Sequence, residues 1–529
     1  MGLLVDVPLL GQLTAFFPAI LLAASVFYFC ALGLYRLTLH PLAKFPGPKV
    51  SAFTGWYEFY LDLLGAPRRT FAFRVQRMHE KYGPIVRINP HELHVSDPDF
   101  FDVLNAGGSA RRDKYPPSAS VQGTPDGIFG TVGHEAHRRR RGAVSGFFSK
   151  QSLLRDEHLV HDKANLLCNV FRSAMDEGRA INVRVPLLAF GTDFYCAHAL
   201  GERGNMHLLE DETKAQVWRD SIVGLLHVTP VVRQFPWVLP YAFGLPSWFI
   251  RWISSDMALV VDVFTDILKQ AEATVDESKR PKAVDKGRSN LMDTILASEL
   301  PRGEKTADRI AQEGFTILTA SGDTLGRVMT TAIYHLHCNP EYLARLREEL
   351  KEMMPDPDAD VPLTKIESLP WLTAVIKESL RIAGLITART VLQAPSECLK
   401  FQDWVIPRNT PVGMTTSDLM LDPAAFPEPK RFDPGRWEPS HPLKSPSLPW
   451  RAGQREPTLE YKYKQRLTLL NSLAWAQMYI ALAKILRRFE LELFDVVRER
   501  DIDHHRDCFL GEPRDDTKGV RVKVLGLLE

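Results

Sequence analysis

Apolar positions run unbroken near the start of the chain and then fall into helical spacing for most of its length. From Val7 to Tyr35 there is no charged residue, and the stretch AFFPAILLAASVFYFCALGLY is long enough to cross a bilayer as a helix. Asp6 leads into this run and Tyr35-Arg36 leaves it without a small-residue cleavage site, which predicts a retained anchor over residues 1–36 rather than a cleaved signal peptide. Arg36, His40, Lys44 and Lys49 follow directly, so the positive-inside tendency places the body of the protein in the cytosol.

The next pattern is set by proline. HPLAKFPGPK, His40 to Lys49, has three prolines and a glycine, so residues 37–50 are expected to form a stiff, extended hinge that cannot continue the helix. An amphipathic helix ending near RMHEKYG comes next. The short alternating runs PIVRI and ELHVS then predict a small hairpin. Between Pro301 and Pro340 there is no proline, and GFTILTASGDTLGRVMTTAIYHLH keeps helical spacing. One long buried helix is expected there, with Ser321-Gly322 as the place for a kink. SKRPKAVDKGRSN, around residues 278 to 290, reads as a charged surface loop rather than a boundary. Residues 51–529 are therefore expected to form a single domain, mainly α with small β-sheets.

Composition narrows the partners. Lys+Arg 65 against Asp+Glu 64 leaves a formal net charge of +1, so nothing global favours nucleic acid. The six cysteines, at 30, 168, 196, 338, 398 and 508, form no CxxC pair and suit reduced thiols facing the cytosol.

Two motifs carry paired charges. KESLR sets Glu378 and Arg381 three apart on a helix, where their side chains share a face. FPEPKRFDPGRW then offers Arg436 from a loop braced by Pro427, Pro429 and Pro434, and its planar guanidinium suits a carboxylate as lysine would not. With ASGDT in a long helix and HPLAKFPGPK behind an anchor, these motifs resemble a microsomal cytochrome P-450 from about Tyr35 to the chain's end. HEKYGPIVRINPHELHVSDPDF and HRRRRGAVSGFFSK are most similar to the fungal trichodiene-oxygenase type. That resemblance implies a cytochrome P-450-like fold, a heme b cofactor, NADPH electrons through a membrane reductase, and an endoplasmic reticulum membrane. It also implies that Glu378, Arg381 and Arg436 form a structural triad beneath the heme.

The resemblance further implies that His137 and Arg141, in HEAHRRRRGAV, occupy positions that hold a heme propionate, with Arg389 in ITARTVL as a second partner. A buried carboxylate needs such charge-assisted donors. Arg138 to Arg141 also reads as a solvated basic face. In ASGDT, Asp323 and Thr324 match the acid and alcohol of the family's oxygen-activating turn and are the candidate catalytic residues, with Ser321 in place of a glycine.

One motif is broken. The family expects F-x-x-G-x-R-x-C-x-G ahead of a helix that starts Leu-Ala. Counting back from Leu473-Ala474 places Tyr461, Lys464, Arg466, Thr468 and Leu470 on those positions. Only the arginine, a cofactor-binding candidate, survives, and no cysteine stands between Cys398 and Cys508. A thiolate pushes electron density into iron and favours O–O cleavage, which a neutral threonine hydroxyl cannot do. His504 and His505 read as a solvated loop pair rather than substitutes.

Three functions follow. The first is a membrane-bound monooxygenase of secondary metabolism, oxidising a lipophilic terpenoid-like or polyketide-like molecule, its written sequence disrupted by a splicing or frame error. The second is a reused scaffold for redox-neutral isomerisation or cyclisation. The third is a metabolite-binding paralogue without turnover. Specificity is expected from the loops GTPDGIFG and PVVRQFPWVLPYAFGLP, whose apolar and aromatic content suits a lipophilic substrate.

Overall fold

The structure is a computed structural model that describes residues 7–106, 110–201, 204–278, 290–438 and 471–529. It separates into two compact units, Met1–Arg111 with Val391–Met414, and Arg112–Thr390 with Thr415–Glu529.

The smaller unit begins with the apolar helix Val7–Leu34, prolonged by a π-helical turn over Tyr35–Leu39. Its side chains from Phe17 to Leu39 are largely exposed, and it is long and apolar enough to cross a membrane. The helix stops at the proline-rich segment as expected, but that segment is turned and packed rather than extended. Leu42 and Phe45 are buried, Phe45 stacks on Trp404 at 4.9 Å, and the Arg87 amide donates to Pro46 O at 2.7 Å. Apolar partners for Leu42 and Phe45 outweigh the stiffness that proline confers. The amphipathic helix forms over Phe71–Tyr82 and buries Phe71, Val75 and Met78. The expected hairpin forms as Ile85–Arg87 antiparallel to Leu93–Val95, with Val412–Met414 added parallel to the second strand.

The larger unit is helical around one core. The expected long helix is present as two segments, Ala307–Ser321 and Asp323–Cys338, interrupted at Gly322. Glycine is needed there because a Cβ would sit 2.3 Å from Thr192 Oγ1 and 2.9 Å from Leu188 O on the helix Arg184–Tyr195. Helix Pro370–Ile382 starts on proline, which lacks the amide that the first turn leaves unbonded. The terminal helix Asn471–Arg488 is buried along most of its length, and Lys484 within it donates to Asn165 Oδ1 at 2.6 Å and pairs with Asp360. A three-stranded antiparallel sheet places Arg521–Leu527 between Ile181–Asn182 and Phe489–Leu493, and a hairpin pairs Arg506–Cys508 with Leu510–Glu512.

Candidate functional site

The Glu-Arg helix carries a closed polar network. Arg381 Nε and Nη2 donate to Glu378 Oε2 and Oε1 at 2.9 and 2.8 Å, and Arg436 Nε lies 3.4 Å from Oε1. The Trp437 indole and the Asp433 amide donate to the same carboxylate, each at 3.0 Å. Arg381 Nη1 also donates to Met420 O and Pro429 O, and Arg436 Nη2 to Glu428 O, so the loop expected to present Arg436 is tied to the helix by its backbone as well. The structure thus brings Glu378, Arg381 and Arg436 together. Trp437 is a member that charge pairing alone did not suggest.

Asp323 sits in a second network. Arg184 Nε and Nη2 donate to its Oδ1 at 2.9 and 2.7 Å, and Arg327 Nε to its Oδ2 at 2.8 Å. Both guanidiniums also bind Glu512, so two cations and two anions close a buried, neutral square. Burial alone would raise the Asp323 pKa, but Arg184 and Arg327 outweigh it and hold the carboxyl below its usual range. The Thr324 hydroxyl, half-buried, donates to Ala320 O at 2.9 Å one turn back. His504, expected to be solvated, lies instead against Gly511, where a Cβ would come 2.4 Å from Nδ1, while burial and Arg327 lower its pKa to about 4. His505 alone is exposed.

The basic helix forms over His134–Ser145, with Arg138 and Arg139 exposed and His137, Arg140 and Arg141 half-buried. Arg140 pairs with Glu304 at 2.7 Å and donates to Asp126 O and Thr131 Oγ1 at 2.9 and 2.8 Å. The His137 pKa falls to about 3 through burial, then Lys114, Arg141 and His134, which marks a concentrated positive region. Lys114 is part of it: its ammonium donates to Ile128 O and Phe129 O at 2.9 and 2.7 Å, and burial lowers its pKa to about 7. Arg389 is half-buried just before the strand Thr390–Gln393. Tyr461, Lys464, Arg466, Thr468, Leu470 and the charged loop over 279–289 lie outside the described residues.

The two loops expected to set specificity both meet the helix Ala307–Ser321. Thr124 and Thr316 share a hydroxyl hydrogen bond of 2.8 Å, the Asp126 amide donates to Gln312 Oε1 at 2.8 Å, and the Ile128 amide to Glu313 Oε2 at 3.1 Å. Gly127 permits this approach, since a Cβ there would lie 2.9 Å from Thr316 Oγ1. From the second loop, Phe243 stacks on Phe264 at 5.0 Å and meets Phe315 edge-on at 5.4 Å. Glu313 is wholly buried; Arg309 donates to its Oε2 at 3.3 Å while Oε1 has no partner. Burial raises its pKa to about 7 against the pull of Arg309 and the Ile128 amide. Sequence reading passed over Lys114, Glu313, Arg184, Arg327 and Glu512. The one available signal was a lone glutamate within the apolar run AQEGFTIL.

Comparison with known proteins places this geometry. The family model for cytochrome P450 matches residues 52–456. The chain belongs to the cytochrome P450 family. It is 34% identical to tryptophan 6-hydroxylase of Fusarium equiseti over 93% of this chain and 94% of that protein. It is 32% identical to conidiogenone synthase of Penicillium rubens over 94% and 97%, and 31% identical to the cytochrome P450 monooxygenase TRI4 of Fusarium sporotrichioides over 96% of each. A cytochrome P450 crystal structure superposes with a TM-score of 0.66 at 16% identity, covering 89% of this chain and 96% of that one. The family match ends before Tyr461, where the heme-ligand motif is expected.

Family membership implies a heme and electrons from a reductase, and the residues fit that group only in part. Lys114 and Arg141 supply cationic donors that suit the carboxylate of a propionate, and His137, held neutral by burial and these cations, can offer it a ring N–H. An axial thiolate finds no match in the expected stretch: no cysteine lies between Cys398 and Cys508, and Thr468, the position expected for it, lies outside the described residues. Among the described residues, no group of three or more His, Cys, Asp or Glu could hold a metal ion.

Proposed function

We propose that this P450 is a fungal secondary-metabolism enzyme acting on a lipophilic, terpenoid-like or polyketide-like molecule, anchored in the endoplasmic reticulum membrane with its body in the cytosol. The observation that supports this reading best is the complete burial and pairing of Glu378, which maintains the P450 scaffold. Relatives that are 31 to 34% identical over nearly their full lengths include a hydroxylase, a synthase and a monooxygenase. Phe243 packs on the buried Phe264 and Phe315, so the second loop is seated on the apolar core beside the broken helix.

As written, the chain lacks the anionic donor that oxygen activation needs, so the monooxygenase reading requires a coding sequence that restores a cysteine near Thr468. Transcript sequencing tests this directly. A message encoding PSLPWRAGQREPTLEYKYKQRLTLL unchanged removes the reading, and a reduced carbon-monoxide spectrum of the expressed chain then shows whether any thiolate ligates iron. Thr468 itself favours a second reading, redox-neutral isomerisation or cyclisation within the same pocket. In that case purified protein converts substrate without NADPH, reductase or oxygen.

A further inference from the structure

The smaller unit buries a positive charge that no carboxylate among the described residues balances. Arg87 is 2% exposed, and its guanidinium donates only to carbonyl oxygens, Arg36 O and Pro90 O, each at 2.8 Å, while Nε is buried without a partner. Arg36 stands at the end of the apolar helix, donates from Nη1 to Phe53 O at 2.8 Å, and has a second buried, unpartnered Nε. The two guanidiniums feel each other's charge, and Arg87 falls to about 10 through burial and then Arg36. Among the described residues neither forms an ion pair with an Asp or Glu. Glu92, just ahead of the neighbouring strand, accepts from Asn89 Nδ2 at 2.8 Å. His40 and His91 complete the group, their ring centroids 5.6 Å apart, and both feel Arg36 and Arg87. His40 Nδ1 accepts from the Leu42 amide at 3.1 Å, which leaves its Nε2 as the donor of the neutral ring.

A buried cation without a counter-anion is costly, and such clusters are ordinarily completed by an anion. The surroundings identify which one. Leu34, Tyr35 and Leu39, on the helix that carries Arg36, are exposed as a lipid-facing surface would be. The short helices that follow the proline-rich segment, Lys49–Phe53 and Trp56–Phe59, turn Val50, Phe53 and Trp56 outward, and Tyr60 and Leu64 continue that surface. Aromatic and apolar side chains next to arginine at the end of an apolar helix are the signature of the membrane interface.

We propose that Arg36, Arg87, His40 and His91 form a binding site for the phosphate of an acidic phospholipid at the cytosolic end of the anchor. The inference rests on reading Val7–Leu34 as a membrane helix. Two uncompensated guanidiniums favour a lipid of net negative charge over a zwitterionic one, which brings its own cation to the site. Arg87 shapes the site from within, through its bond to Arg36 O at the helix end, while Arg36 and His91 meet the headgroup from the accessible side.

The test uses the full-length chain in nanodiscs of phosphatidylcholine alone and of phosphatidylcholine with phosphatidylserine, with retained lipid identified by native mass spectrometry. Retained phosphatidylserine in excess of its share of the disc is expected. R36Q and H91Q, whose side chains are less buried than Arg87, are expected to lower that enrichment while leaving the thermal melt in place. The loss for R36Q is about fivefold. Retention of the two lipids in proportion to their abundance overturns the site. Full displacement of phosphatidylserine by millimolar inorganic phosphate assigns the cluster to free phosphate and overturns the lipid assignment. A chain that fails to enter either disc overturns the anchor reading itself, an outcome distinct from insertion without lipid preference.

Discussion

Glu378 and Glu313 are both wholly buried glutamates on helices of the larger unit, yet their surroundings differ in kind. Glu378 has both oxygens engaged by Arg381 in a bidentate fork, with Arg436, Trp437 and a backbone amide completing the shell. Glu313 has one amide and one longer contact to Arg309, and its second oxygen has no partner. A buried carboxylate whose lone pairs are filled works as a rivet. One left half-filled is poised near neutrality, with its pKa at about 7. The contrast separates a carboxylate locked between the helix Pro370–Ile382 and the loop after it from one that touches the loop over 123–130.

The largest expected effect breaks the rivet. E378A leaves Arg381 and Arg436 buried without their anion, and a loss of about 3–5 kcal/mol in denaturant unfolding is expected. Next is D323N, which leaves two guanidiniums to share Glu512. A loss of about 3 kcal/mol is expected, and an unchanged unfolding midpoint would show that the square does not hold the broken helix.

E313Q sharpens the comparison through pH. Because the folded pKa of Glu313 is raised from 4.5 to about 7, the folded state binds a proton that the unfolded state has released in that window. Wild-type stability therefore falls relative to E313Q as pH rises from 4.5 to 7 and levels off above it, by roughly 3 kcal/mol in all. Parallel unfolding curves for the two proteins across that range would remove Glu313 as the source. The smallest effect is W437F, which deletes one donor to Glu378 and is expected to cost about 2 kcal/mol in the same unfolding assay, with the network's other contacts intact.

How far the sequence carried varied with the range of the interaction. The N-terminal apolar helix, the 85–95 hairpin and the Glu378–Arg381 pair were legible because each depends on neighbours within a few residues or on plain periodicity. Arg436 was reached because a proline-braced loop presents few alternatives. The break at Gly322 was foreseen as a kink, but its cause, the close approach of Thr192 and Leu188, was not visible. Nothing in RRDKYPP marks Lys114 as a buried cation, and Glu512 lies 189 positions after Asp323, so no local pattern joins that pair. The proline-rich segment was misjudged as extended because proline's stiffness is local, whereas the seat of Phe45 on Trp404 is not.

The sequence by itself determined the elements whose physics is short in range: an apolar run long enough to cross a bilayer, helical spacing that needs a core, and a stretch from Cys398 to Cys508 without a cysteine between them. Only the tertiary structure decided which buried charges find partners, because desolvation and pairing depend on groups that the chain brings together from hundreds of residues apart. Asp323 therefore stands as an ion-paired carboxylate, Glu313 as a half-partnered one, and Arg87 as a cation with no carboxylate partner among the described residues.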